Sequence, residues 1–346
     1  MKKKLLILST FLLSLTFVGI YLLSSNKSNF TFQAPFVNTS FAPLPTYHTL
    51  NIDSVFDNSL IASDETVTLI ATGDVIPARV VNMNTIAQGN FLWPWEKTAD
   101  FVKDADLTLI NLEAPIFDKC PQTNTGFTFC GEDEHIQGLI AAGVDVANFA
   151  NNHSGNYGEE GLNETIGLLE KNNIAASGYS KIGYKTIKGT TFAFLGYNDV
   201  GAPYLRDAEM SQAINDARNK ADVVVVSFHW GTEYKTQPDQ RQVDLARLAI
   251  DSGADLIIGN HPHWIQPVEI YRDKFIMYAH GNFIFDQMWS EETKKGVVGK
   301  YVFLQNKLID VEYYPIYIED YGQPRFLEGG GKEMILEELE KASLEL

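Results

Sequence analysis

Along most of the chain, short apolar and β-branched runs end abruptly in polar residues, and amphipathic stretches separate several of them. VTLIATGD closes on Asp74, and DLTLINLE closes on Asn111 and Glu113. VDVANFANNH ends in Asn151, Asn152 and His153, ADVVVVSFHWG brings His229, and ADLIIGNHPH brings His261 and His263. Between them, PWEKTADFVKDA, EDEHIQGLIAAG, EEGLNETIGLLEKNN and PDQRQVDLARLAIDSG carry helical periodicity, several of them closing on Gly or Asn. Runs apolar on both faces that alternate with helices predict an α/β fold whose strands are covered on each side. Residues 296–317 alternate as a hairpin and are expected to extend the second sheet. The terminal GKEMILEELEKASLEL reads as a charged helix with one apolar stripe.

The first 64 residues follow a different grammar. Lys2, Lys3 and Lys4 precede an uncharged apolar stretch, Leu5 to Ser25, about long enough to cross a bilayer. The lysines are expected to stay cytoplasmic and the remainder to be exported, giving a single-pass cell-membrane protein with its domain on the extracytoplasmic side. A cleaved signal peptide is the competing reading, although the apolar region is long and no clear small-x-small site follows. The predicted organisation is an anchor at 1–25, a linker at 26–64, a domain at 65–328 and a C-terminal helix at 329–346. Cys120 and Cys130 bracket a polar loop, and in an exported chain such a pair reads as a disulfide. Two free thiols are the alternative; metal ligation is weaker than either, since no partner spacing surrounds them.

Composition narrows the function. A formal net charge of −17 argues against a sequence-independent nucleic-acid binder, which needs a basic surface to displace counterions. An anionic polymer or a phosphoester must then be held by something locally positive, such as bound metal. In open α/β sheets ligands sit outside the carboxyl ends of the strands, so the polar strand ends predict one converging site. A mixture of His, Asp, Glu and Asn without cysteine suits Mn²⁺, Fe²⁺ or Zn²⁺. His261 and His263, held apart by Pro262, are placed to serve two neighbouring ions.

Six motifs carry a family resemblance: GDV at 73–75, NLEAP at 111–115, ANNH at 150–153, SFHWGTEY at 227–234, GNHPHWIQP at 259–267 and YAHGNFIFDQ at 278–287. From about Thr66 to Gln287 the chain resembles the CapA family of poly-γ-glutamate capsule synthesis, within the calcineurin-like metallophosphoesterase superfamily. The resemblance implies a four-layer αββα sandwich with a dimetal centre at the strand ends. Carried over by position, it implies Asp74 and His263 on one metal, Glu113 bridging, and Asn152, His229 and His261 completing the second. His153 takes the position of a proton donor to the leaving group. The sequence departs from the superfamily at Asp74-Val75-Ile76, which lacks the histidine of an Asp-x-His motif. Asn260 stands where relatives often carry histidine, Glu113 replaces the usual bridging aspartate, and His280 is a candidate for the missing ligand.

The implied function is a membrane-anchored metal-dependent hydrolase of phosphoester type in poly-γ-glutamate or related surface-polymer biosynthesis. Two alternatives stay open: a non-catalytic accessory of a polymer synthesis and export complex, with synthase subunits as partners, or a metal-dependent hydrolase of γ-glutamyl amides. His135 and His48 are expected on the surface. Glu233, Tyr234, Asn282 and Asp286 fall near the site through the motifs, while Trp230 and Trp264 either wall it or fill core.

Overall fold

A computed structural model describes residues 65–201 and 205–346. The expected membrane anchor, the linker and His48 lie outside these residues. No helix among the described residues is long and apolar enough to cross a membrane.

Strand β1 (Thr66–Val75) is buried almost throughout, as a run apolar on both faces must be. Helices α1 (Val80–Gln88) and α2 (Ala99–Val102) lead to β2 (Leu107–Leu112). Helix α3 (Ile136–Ala141), β3 (Val146–Asn148), α4 (Gly158–Lys171) and β4 (Ala175–Ser177) repeat the alternation. The chain then forms β5 (Ile182–Ile187), β6 (Thr190–Asn198), α5 (Asp207–Arg218), β7 (Val223–His229), α6 (Gln240–Asp251) and β8 (Leu256–Asn260). Next come β9 (Ile265–Tyr271), β10 (Lys274–His280), β11 (Asn282–Ile284), β12 (Lys295–Leu304), β13 (Lys307–Glu319), β14 (Gln323–Phe326) and α7 (Gly329–Leu344). Helix α6 starts on a capping box, in which Asp239 accepts from the backbone of Gln242 and the Gln242 side chain returns the bond.

The larger sheet has eight strands in the order β14-β13-β12-β1-β2-β3-β4, with β11 also beside β1. Strands β1 to β4 run parallel, whereas β12 and β13 are antiparallel. The smaller sheet runs β5-β6-β7-β8-β10-β9, parallel at its centre and antiparallel at both edges. The hairpin expected at 296–317 forms, but it joins β1 in the larger sheet. Strand β12 is buried on both faces, a pattern suited to a position between two neighbours, and β1 offers that place.

Alternation along the strands sends side chains to two cores. Val67, Leu69, Leu109, Phe194, Val225, Ile258 and Met277 meet between the sheets. Ile70 and Ile110 face outward under Leu139 of α3 and Leu169 of α4. Val224, Val226 and Ile257 face outward on the smaller sheet, beneath Met210 and Ile214 of α5 and Leu245 and Ala249 of α6. The result is a mixed α/β sandwich of two sheets with, among the described residues, seven helices. The apolar stripe of α7 sets Ile335 and Leu339 into the core between the sheets, and Ser343 Oγ accepts from Val268 N at 3.0 Å.

Two features bear on function, the first as expected and the second not. Cys120 and Cys130 are bonded, closing the loop between them. His135 is 3% exposed, contrary to its expected surface position. It lies one helical turn before Leu139, so the two share the face turned to the core; its Nε2 is 3.0 Å from Asn82 Oδ1 and its ring stands edge-on to Phe91.

Burial holds the His135 pKa down at about 3. The unfolded chain therefore binds a proton below about pH 6.5 that the folded chain refuses, and stability is lost as pH falls between those limits, by up to about 1.4 kcal/mol per unit. His135→Gln is expected to lose less stability than wild type between pH 7 and pH 5.5, read from urea midpoints; equal losses would refute this role.

Candidate metal centre

The carboxyl ends of both sheets converge on one cluster. Asp74 ends β1 after a register shift at Thr72-Gly73, where a Cβ on Gly73 would lie 2.1 Å from the carbonyl oxygen of Gly281. Only glycine permits that approach, which lets Asp74 N donate to Gly281 O at 3.0 Å. Asn111 of β2 donates to Asp74 Oδ1 at 2.8 Å and lies 3.3 Å from His229 Nδ1. Its own Oδ1 accepts from Asn148 of β3 at 3.0 Å. A ladder of two asparagines thus fixes the acidic strand end against the first histidine of the smaller sheet.

His229 Nε2 is 2.7 Å from Asn152 Oδ1, 3.1 Å from His261 Nδ1 and 3.3 Å from Glu113 Oε1. Across the cluster, His263 Nδ1 lies 3.1 Å from Asp74 Oδ2 and 2.9 Å from Asn282 Oδ1. Asn282, paired beside Asp74, is held in turn by donating to Thr293 O at 2.9 Å. His261 and His263 have φ of 98° and 58°, left-handed values uncommon for a residue with a side chain and found where a site over-determines the backbone.

Among the ligand groups that result, two share a buried carboxylate: Glu113 with His229 and His261, and Asp74 with Glu113 and His263, in each of which the ligand atoms lie within 4.8 Å of one another. Glu113 belongs to both. Its side chain is fully buried and neither carboxylate oxygen has a hydrogen-bond partner. Such a group is costly unless a charge satisfies it, and a divalent cation between these donors would do so. The donor set, carboxylate with imidazole and amide oxygen, fits Mn²⁺, Fe²⁺ or Zn²⁺.

Electrostatics follow from the crowding. Burial and then the Asp74 charge push the Glu113 pKa well up. Burial also opposes ionisation of Asp74, but the hydrogen bond and charge of His263, with His229 and Asn111, bring it down to about 2. Burial disfavours charge on His263, yet Glu113 and Asp74 outweigh it and raise the pKa to about 9. Burial holds His229 down at about 3, and burial with the neighbouring His229 and His263 holds His261 well below its usual value.

His153 stands at the edge, half-buried. Its Nδ1 is 2.9 Å from Asn156 Oδ1, an oxygen fixed by the bond it accepts from Phe129 N at 2.7 Å. The Nδ1 position therefore carries the proton and Nε2 is left to take or give another. Phe129, at the base of the disulfide loop, packs on the imidazole at 4.2 Å between centroids. The Arg79 guanidinium lies 5.0 Å from the ring centroids of both Phe129 and Phe285, paired with Asp286 and donating to Gly126 O. Asp286 thus anchors this wall.

Asp74, Glu113, Asn152, His229, His261 and His263 come together, with His153 beside them. His280 does not join: its ring is buried with Nε2 3.1 Å from Tyr301 Oη and Nδ1 3.4 Å from Gly259 O, so neither nitrogen is turned to the cluster. Trp230 fills core, stacked on Phe228 at 4.3 Å. Trp264 is partly exposed, with its ring 6.1 Å from that of Tyr234. Sequence reasoning missed Asn148 and Asn156. The only signal for Asn148 was an amide inside an otherwise apolar strand.

The family model described as "Bacterial capsule synthesis protein PGA_cap" matches residues 68–287. The chain is 33% identical over 285 residues to the PGA biosynthesis protein CapA of Bacillus subtilis, covering 75% of this chain and 73% of that protein. It is 29% identical to the capsule biosynthesis protein CapA of Bacillus anthracis, covering 76% and 70%. A solved structure of a hypothetical protein from Thermus thermophilus shares the fold, with a TM-score of 0.50 and 14% identity over 75% of this chain and all of that one.

Asn282→Ala removes the amide that aims His263. It is expected to weaken manganese binding by about 10- to 100-fold in calorimetric titration. Unchanged affinity would show that His263 needs no such support.

Proposed function

The chain belongs to the bacterial capsule synthesis family PGA_cap, and on that premise we propose that it serves poly-γ-glutamate or related capsule biosynthesis as a dimetal hydrolase of phosphoester type. The observation that carries this reading is Glu113, buried without hydrogen bonds and common to both ligand groups. On this reading the αββα sandwich is of the metallophosphoesterase type. Asp74, Glu113 and His263 would hold one ion, and Glu113, Asn152, His229 and His261 would hold the other.

Bound there, two divalent ions would supply a water of lowered pKa and neutralise charge on the substrate oxygens. The chain's own groups do the rest. Asn111 and Asn282 hold Asp74, His229 and His263 in fixed orientations, so little reorganisation is needed when substrate enters. As water adds to phosphorus and the ester bond breaks, His153 Nε2 delivers the proton that the leaving oxygen requires. Burial keeps His153 low, at about 4, in the metal-free site, and the charge of an anionic substrate beside it favours the protonated ring.

We place the domain on the extracytoplasmic side of the cell membrane, held by the apolar segment Leu5 to Ser25, with polymer synthase subunits as partners. The Cys120–Cys130 bond supports an oxidising compartment. One observation favours the accessory reading instead: Ile76, where the superfamily carries a ligand histidine, is fully buried among Ala78, Phe129 and Phe285.

Elemental mass spectrometry is expected to find about two ions per chain, lost in the His261→Ala, His263→Ala double variant. His153→Ala is expected to keep its metal and lose about 10²- to 10⁴-fold in phosphodiester hydrolysis. Metal bound without any turnover would favour the accessory role, and no metal at all would overturn the site.

A further inference from the structure

The ligand groups described so far leave the ion at Asp74 with three protein donors, because the apolar Ile76 occupies the position of a fourth. A third group lies nearby: the Glu233 carboxylate, His261 and His263 present ligand atoms within 4.8 Å of one another. Glu233 is partly exposed, whereas Glu113 is fully buried.

Its position is built by the backbone. The turn after β7 carries Gly231 at φ 81° and Tyr234 at φ 59°, and it abuts the turn in which His261 and His263 are also left-handed. Tyr234 N donates to Pro262 O at 2.8 Å, joining the two turns at the residue between the histidines. Beyond Glu233, the Tyr234 hydroxyl accepts from Gln287 Nε2 at 3.1 Å and its ring stands edge-on to Trp289 at 4.8 Å. A turn pinned on both sides keeps its carboxylate within reach of both imidazoles.

We propose that Glu233 is a metal ligand that closes the centre from the solvent side and takes the place of the missing histidine. The inference rests on the dimetal reading and concerns which residues complete it. A carboxylate in place of an imidazole makes the site harder, favouring Mn²⁺ or Fe²⁺ over Zn²⁺. Three carboxylates, Asp74, Glu113 and Glu233, against two divalent ions leave one positive charge for an anionic substrate.

The test is manganese titration of the full-length wild-type protein and of Glu233→Gln, followed by calorimetry and by the electron paramagnetic resonance of the bound ions. The side chain is partly exposed, so the metal-free variant is expected to melt with wild type. Its weaker manganese site is expected to lose at least about tenfold in affinity, with a smaller rise in melting temperature on adding manganese. Wild-type affinity in Glu233→Gln, whatever its turnover, would overturn the inference while leaving the dimetal reading intact. A wild-type protein that binds zinc but no manganese would overturn the inference alone, and one that binds none of manganese, iron or zinc would overturn both.

Discussion

Asp74 and Glu113 are both fully buried, and the interior cannot hold two carboxylates side by side without positive charge between or around them. Much of the domain answers that constraint. His263 is drawn to Asp74, Asn111 donates to the same carboxylate, and the backbone of His261 lies within reach of it. None of these contacts reaches Glu113 with a hydrogen bond. The protein supplies half of the compensation and leaves a defined place for the remainder.

Meeting that demand takes both layers of the sandwich. The larger sheet contributes the oxygen donors at the ends of β1, β2 and the loop after β3, and the smaller sheet contributes the imidazoles at the ends of β7 and β8. Each half alone is ordinary α/β architecture. Glycine allows the halves to meet where Gly73 brings β1 against Gly281, and within the smaller sheet it lets β8 pack close on β10, since at Gly259 a Cβ would lie 1.9 Å from Tyr278 O. The strained turn at 261–263 is tolerated because the bonds around it leave its histidines no other direction to face.

The strand ends were legible because an apolar run cannot end in Asp, Glu or His without reason, and the order of six motifs tied those ends to one place. What lies beside the chain rather than along it was not legible. Asn148 acts through Asn111 on the neighbouring strand, and Asn156, which holds His153 directly, is itself fixed by Phe129 on a loop closed by Cys120 and Cys130; neither Asn111 nor Phe129 is near its asparagine in sequence. His280 sits within a ligand-bearing motif, yet Tyr301, on β12 of the other sheet, claims its ring. His135 was legible in principle, since its i to i+4 spacing from Leu139 marks the core face. Alternation over 296–317 marks a hairpin, but which sheet it joins depends on burial across β12, which alternation alone underdetermines.

The path of the chain has a consequence of its own. Strands β5 to β10 form the smaller sheet from one continuous segment, so its pairing is local. Strand β1 is different: it pairs with β2, then with β11 and β12, and its register with β12 ties Thr66 to Leu304. Contacts of such separation form late, because a long loop must close before they repay its entropy. A chain released from its amino end therefore waits, with Asp74 lacking its neighbours Gly281 and Asn282, until nearly the whole domain has been delivered. The order of strands means that the centre cannot be assembled before β11 is present.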